Sequence, residues 1–452
     1  MKIFKQSCLL IILFANISCK KYLAAKPDAK LEVPTSLNDL QALLDNYKAM
    51  NVQIPGAGAI FTDDYYLSTD DWSTIYDEYQ RNYYIWQKDD DNIGEWDAPY
   101  NNIFTCNLVL ETLPSIKVNG NEKIIYENIK GAALFFRATY FYGIAQLFTK
   151  GYDSKSANED LGIPLRTSTS LKEKVTRATI KQTYEQIVSD FKNAITLLPV
   201  SVSIKSRPCK AAGYGALART YLAMEDYENA DLYADSCLAL YNTLIDYNTL
   251  DSNSANPIDR FNDEVIFQSV SLSEAPLDPA VCKIDSNLYK TFDLYDLRRV
   301  IYFFVNGDGS YSFKGDYDGG SENYGHSFTG IVTDEQYLIK AECAARLGRQ
   351  AEALKYLNDL LSKRFISGHF LPVTINDPNL LLGRILNERR KELIFRGIRL
   401  TDLKRLNKDP RFSKVLYRNL SGVMYELPPN DNRYVAQLPK TVVIIGGVKQ
   451  NP

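Results

Sequence analysis

Residues 387–405 read NERRKELIFRGIRLTDLKR. Glu388 and Glu392 fall one helical turn apart on a single face, and Arg389, Arg390, Lys391, Arg396 and Arg399 crowd them. A pair of carboxyl groups is what a glycosidase uses. Cations at this density, however, hold both carboxylates ionised through ion pairs and remove the raised-pKa acid that such chemistry requires. The pattern therefore predicts a structural salt-bridge network, continued by Asp402 and Arg405 three residues apart, on two helices that join at Gly397.

Helical spacing extends upstream. In residues 211–240, Tyr214, Leu217, Ala218, Tyr221 and Ala230 occupy the positions of a tetratricopeptide unit, where small residues let two helices approach and large ones fill the groove. Residues 334–361 repeat it more weakly through Tyr337, Ala341, Ala344, Gly348 and Ala353. Further helices are predicted at 179–198, at 122–148, and from Trp96 through Tyr100, Ile103, Asn107 and Leu110. A first helix, capped by Thr35, places Leu37, Leu40, Leu44 and Tyr47 on one face. Two excursions without helical period interrupt this scaffold, residues 55–94 and 242–332. In the second, residues 300–304, Asn306-Gly307-Asp308-Gly309 and residues 311–313 read as strand, turn and strand.

The other end of the chain fixes where it works. Lys2 and Lys5 precede an apolar run from Cys8 to Ala15, too short to span a membrane, and Ser18-Cys19 follows. This predicts a cleaved signal peptide over residues 1–18; Ser18-Cys19 resembles a bacterial lipoprotein cleavage site, which implies Cys19 acylated as the new N-terminus, with a plain secretion signal as the alternative. Residues 19–34, polar and carrying Pro27 and Pro34, are the tether; residues 35–205 and 206–452 form the N-terminal and C-terminal regions of the body. With 52 Lys plus Arg against 55 Asp plus Glu, there is no basic field for nucleic acid. Cys106, Cys209, Cys237, Cys282 and Cys343 are odd in number and widely spaced, which argues against a disulfide framework. Only His326 and His369 are present, with no metal-ligand spacing, no phosphate loop and no nucleophile elbow, so no cofactor is expected.

The 387–405 segment resembles the C-terminal signature of the SusD/RagB family of Bacteroidetes outer-membrane lipoproteins. Tyr22-Leu23, Lys26-Pro27-Asp28, Trp96 with Tyr100, Ile103 and Asn107, Gly131-Ala132-Ala133-Leu134 with Arg137-Ala138, Gly162-Ile163-Pro164, Asp296-Leu297-Arg298 and Gln450-Asn451-Pro452 match it too. The resemblance implies a mostly α-helical fold of about four tetratricopeptide-like helix pairs with loop-rich excursions and a small β-hairpin region. It also implies a nutrient-binding, non-enzymatic role: capturing an oligosaccharide, or in some branches a peptide, and passing it to a SusC-like TonB-dependent transporter at the outer membrane. Arg396 stands where the family commonly has an acidic residue before the glycine, and Lys20-Lys21 replace acidic residues after the lipidated cysteine.

Sugar rings offer flat C–H faces to aromatic rings, and their hydroxyls need polar partners. Tyrosine accounts for 31 residues, against 20 Phe and 3 Trp. The stacking candidates lie outside the helical stripes: Trp72 beside Asp70 and Asp71, Trp86, and Tyr311, Tyr317 and Tyr324 among Ser, Asp, Asn and Gly. Trp96 belongs to the core. Asp308, Asp316 and Asp318 form an acidic cluster without the Asp-x-Asp-x-Asp-Gly loop of a calcium site. Besides a nutrient-binding lipoprotein, two other classes fit a helical surface protein: a surface glycosidase and a pure repeat scaffold. The first lacks an un-neutralised acid and base, and the second has no use for two aromatic excursions.

Overall fold

The computed structural model describes residues 34–170, 172, 174–320 and 325–452. The signal sequence, Cys19, all but the last residue of the tether, and Tyr324 lie outside the described residues.

Local chemistry places the helix starts. Ser36, not Thr35, caps α1 (Leu37–Leu44): its hydroxyl accepts from the Asp39 amide at 3.2 Å and the Asp39 carboxylate accepts from the Ser36 amide at 3.0 Å. Leu37, Leu40 and Leu44 are buried as their spacing predicts, but Tyr47 opens a separate short helix, α2 (Tyr47–Met50). The first excursion, expected to be non-helical, contains α3 (Thr69–Thr74) and α4 (Glu78–Tyr84), each too short to display a helical period. The scaffold then runs through α5 (Gly94–Thr112), α6 (Lys123–Phe148), α7 (Ile180–Leu197), α8 (Lys210–Ala223) and α9 (Tyr227–Leu240). The second excursion carries α10 (Ser286–Tyr289) and α11 (Arg298–Ile301), so Val300 and Ile301 end a helical turn where a strand was expected. The scaffold resumes with α12 (Thr333–Arg346), α13 (Gln350–Leu361), α14 (Pro378–Glu392) and α15 (Arg399–Leu406), and α16 (Lys440–Gly446) ends the chain.

Helices α5 to α9 each pack on the next; α9 then packs on α12, and α12 on both α13 and α14. This is the mostly helical scaffold of helix pairs that the repeats lead one to expect. Close approach is built in: a Cβ on Gly213 in α8 would lie 2.5 Å from Ile195 of α7. The five cysteines are free and buried, filling space as small hydrophobes.

The 387–405 segment holds the excursions to this scaffold. Arg298, wholly buried, grips Asp296 at 2.7 Å, Glu388 at 2.6 Å and Glu392 at 2.8 Å. Arg364 joins Glu392 and Glu264, each at 2.7 Å, and Lys391 adds a 2.8 Å pair to Glu388. On the next turn of chain, Arg405 and Arg389 each hold Asp402 at 2.9 Å, and Arg405 reaches Glu342 of α12. Arg390 and Arg399 hold Asp64 and Asp63 of the first excursion, each at 2.8 Å. Gly397, at φ +67°, supplies the left-handed turn between α14 and α15. Burial alone would raise the Glu388 carboxyl, but Arg298, Lys391 and Arg384 overcome it and hold the group at about 2; Arg405 and Arg346 do the same for Glu342.

Removing one partner from such a buried cluster leaves charge uncompensated, so Arg298→Met is expected to cost about 3–5 kcal/mol in urea unfolding. An unchanged midpoint would show the network to be dispensable. The depressed carboxyls of Glu342 and Glu388 contribute stability that is fully present above their unfolded value of 4.5 and is lost as pH falls toward about 2. Acid unfolding followed by circular dichroism is therefore expected in that window, with Glu388→Gln weakening its steepness.

Candidate functional site

Two antiparallel ribbons bring the excursions together, while β2 (Val265–Phe267) pairs separately with residues 331–332. Strand β1 (Tyr65–Tyr66) pairs with β3 (Lys283–Ile284), setting Tyr65 opposite Ile284 and Tyr66 opposite Lys283. Strand β4 (Phe303–Val305) pairs with β5 (Tyr311–Phe313), with Phe303 opposite Phe313 and Val305 opposite Tyr311. β3 lies beside β5, where the Ser312 hydroxyl donates to the Cys282 carbonyl at 3.2 Å. The alternation of a strand then sorts the side chains. Tyr65 turns into the core while Tyr66 stays 40% exposed, and Phe303 is buried while Phe304 is 40% exposed.

The outcome is an aromatic ledge. Tyr311 stacks on Tyr289 of α10 with centroids 3.5 Å apart and planes at 17°, and the guanidinium of Arg299 lies 5.0 Å from the Tyr289 centroid. The hairpin turn is fixed by Asp308, which accepts from the Ser310 amide at 2.9 Å and its hydroxyl at 2.6 Å, with Gly309 at φ +81°. Partial burial, then the Asp308 carboxylate, raises the Tyr66 hydroxyl, which places hairpin tip and β1 in one neighbourhood. Rings with half-covered faces beside hydroxyls, a carboxylate and a guanidinium suit a polyhydroxylated ring. Flat C–H faces rest on the aromatics and the hydroxyls find donors and acceptors.

The sequence candidates divide. Tyr311 is on the ledge. Trp72 is half-buried on α3, its indole N–H donating to the Arg81 carbonyl at 3.0 Å; Asp70 is exposed in the same turn, while Asp71 accepts from the Ser68 hydroxyl at 2.6 Å. Trp86 and Tyr317 were expected at the surface and are not there. Trp86 is 1% exposed, donates to the Phe61 carbonyl at 3.0 Å and lies beneath Arg418. Tyr317 is fully buried, its ring 3.3 Å from the Arg396 guanidinium and its hydroxyl bonded to Glu264 and Tyr247. Both are interior packing residues that a ligand on the surface does not reach. The acidic cluster also separates: Asp316 and Asp318 face His326 at 3.0 and 3.5 Å, whereas Asp308 caps the hairpin. Tyr66, Tyr289, Arg299 and Phe304 were missed. Tyr66 is set outward by the pairing of strands more than two hundred residues apart, and Phe304 by its register in the local hairpin, opposite Ser312.

A different concavity, of about 650 Å³, lies between α5 and α16. Its walls include Trp96, Phe104, Val442 and Ile445, together with the polar side chains of Asp97, Asn101 and Thr441.

With this geometry in view, family models match over two stretches: residues 21–222 by one described as starch-binding associating with outer membrane, and residues 314–441 by one described as SusD family. The chain belongs to the SusD family. Solved structures agree on the fold. A SusD superfamily protein from Bacteroides thetaiotaomicron superposes with a TM-score of 0.75 at 22% identity, covering 92% of this chain and 100% of its own. A SusD-like carbohydrate binding protein from Bacteroides vulgatus gives 0.70 at 19% identity, covering 92% and 97%. The SusD-like protein P38 of Formosa agariphila is 38% identical over 79 residues, a match spanning only 16% of that relative and 16% of this chain. Arg396, in the signature segment, pairs with Asp334 of α12 at 3.1 Å.

Two predictions separate ledge from core. Trp86→Ala is expected to cost about 3–5 kcal/mol of stability, with ligand binding by the folded fraction unchanged; weakened binding at full stability would return Trp86 to the site. The second concerns Glu274, which is buried against Glu95 where α4 meets the second excursion and accepts from Gln80 at 2.8 Å. Burial first, and the neighbouring Glu95 carboxyl second, raise Glu274 well above its usual value. Its contribution is thus fully present below 4.5 and is lost as pH rises through the folded value. Glu274→Gln is expected to flatten that decline in thermal melts taken between pH 5 and 9, and an unaltered profile would rule the pair out as its cause.

Proposed function

We propose that this chain is a non-catalytic, lipid-anchored outer-membrane protein that captures an oligosaccharide on the Tyr289–Tyr311 ledge and hands it to a SusC-like TonB-dependent transporter. The observation that carries the proposal is the stacked, outward-facing tyrosine pair, set among polar groups and braced from behind by the buried ion-pair network. A shallow, pre-formed platform gives modest affinity with geometric selection, which suits cargo that has to be released. Family membership and the carbohydrate-binding name of the Bacteroides vulgatus relative favour a glycan over a peptide. Catalysis is disfavoured at Glu388 and Glu392, whose carboxyls are held down by buried arginines and lysine and so are poor proton donors at neutral pH. Acylation at Cys19 would supply the anchor and exterior placement would give access to nutrient, with Trp72 and Asp70 as outlying contacts and Tyr324 as a further candidate.

Calorimetry against a panel of oligosaccharides and peptides tests the ligand. Tyr311→Ala is expected to weaken the cognate glycan about tenfold, roughly 1.4 kcal/mol, with an unchanged melting temperature. Equal affinity in the variant removes the ledge as the site, and binding of peptides alone removes the ligand class. Cys19→Ala is expected to move the protein from the membrane to the soluble fraction; retention there with undiminished fatty-acid labelling would disprove the anchor. Co-purification of a TonB-dependent transporter from native membranes checks the partner.

A further inference from the structure

This chain commits its guanidinium groups. Arg298, Arg364 and Arg405 are spent on interior carboxylates, and even at the surface Arg411 and Arg433 fold back onto Asp409 and Asp431 at 2.7 and 2.9 Å. Arg81 and Arg418, which have no carboxylate, donate to backbone carbonyls instead. Among the described residues Arg299 is the one arginine with neither kind of partner, and its guanidinium lies beside the tyrosine stack of the ledge.

Its surroundings leave it available. Arg298, its neighbour in α11, points inward and takes up Asp296, Glu388 and Glu392. The aspartates of the same excursion bond elsewhere: Asp293 accepts from the Tyr295 amide at 2.9 Å, Asp285 from the Asn287 amide at 3.0 Å, and Asp308 from Ser310. Exposed Lys290, at the end of α10, adds a second positive charge to this edge. A guanidinium resting on an aromatic face presents a flat fork of donors that matches a carboxylate or a sulfate with two parallel hydrogen bonds.

We propose that the ledge selects an acidic glycan, in which one sugar ring packs on Tyr311 and Tyr289 while its anionic substituent, a uronate carboxylate or a sulfate ester, is held by Arg299. This rests on the ledge being the glycan site and adds the charge of the ligand to it. Arg299 makes no pair within the protein, so its replacement leaves no buried partner stranded, and its effect is confined to binding and to the salt dependence of binding.

The test uses matched ligands: oligogalacturonate and its methyl ester, and a sulfated galactan oligosaccharide and its desulfated form, each titrated calorimetrically into the full mature protein at low and physiological salt. The acidic member of one pair is expected to bind at least tenfold tighter than its neutral counterpart, with the preference shrinking as salt rises. The pair that shows it identifies carboxylate or sulfate. Arg299→Gln is expected to abolish the preference, bringing acidic and neutral ligands to equal affinity at an unchanged melting temperature, and Arg299→Lys to restore part of it. Neutral and acidic ligands bound equally by wild type, or a preference that survives Arg299→Gln, overturns the assignment of charge while leaving the ledge in place. Loss of neutral binding in Tyr311→Ala, measured in parallel, reports on the ledge itself, and failure of every glycan to bind overturns both.

Discussion

One buried guanidinium sets the terms for the rest of the molecule. Arg298 comes from the second excursion, and its partners Glu388 and Glu392 come from α14, so the ion cluster is a joint between a loop and the scaffold. Taking these charges out of water costs several kcal/mol for each ion, and the cost is offset only if nearly every donor and acceptor is met. Arg298 meets that demand with four short hydrogen bonds to three carboxylates, and Arg364 satisfies the second oxygen of Glu392. A cluster of this kind adds little net stability over a hydrocarbon core. What it adds is exclusivity, because any other docking of residues 296–298 on α14 strands several charges at once.

The same helix works outward in two directions. Arg390 of α14 and Arg399 of α15 fasten Asp64 and Asp63, immediately before β1, while Glu388 and Glu392 of α14 fasten Arg298 at the start of α11, just ahead of β4. The ledge is thus carried on two loops that are each pinned by charge from the same helix pair. This is how segments with little regular structure present a surface of fixed shape. Arg396 joins the arrangement from between the two helices: its guanidinium lies on the Tyr317 ring and pairs with Asp334.

Helices of a dozen or more residues were legible from spacing alone, because each turn repeats the same in-or-out decision and the errors average away. The caps were legible to within one residue, as Ser36 in place of Thr35 illustrates. The network around Glu388 was foreseen as structural, since clustered cations around a carboxylate have one chemical meaning wherever they lie. The excursions were not legible. Trp86 and Tyr311 have similar polar neighbours in sequence, yet Trp86 is enclosed by Arg418 and the Phe61 carbonyl while Tyr311, stacked on Tyr289 and packed against the core on one side, stays partly exposed. That difference arises from contacts across hundreds of residues, and no local pattern encodes it. Val300 and Ile301 mislead for a related reason: β-branched residues suggest a strand, but the inward grip on Arg298 holds that turn helical.

The anchoring of both loops by residues 387–405 gives the protein an order of assembly. Helices α5 to α9 each pack on the next in sequence, although their shared core also takes in Leu400, Leu403 and Leu416 from the C-terminal third. The ledge is fastened only from far along the chain, by residues 387–405. A chain made only as far as the scaffold helices therefore lacks the charges that give the ledge its fixed shape.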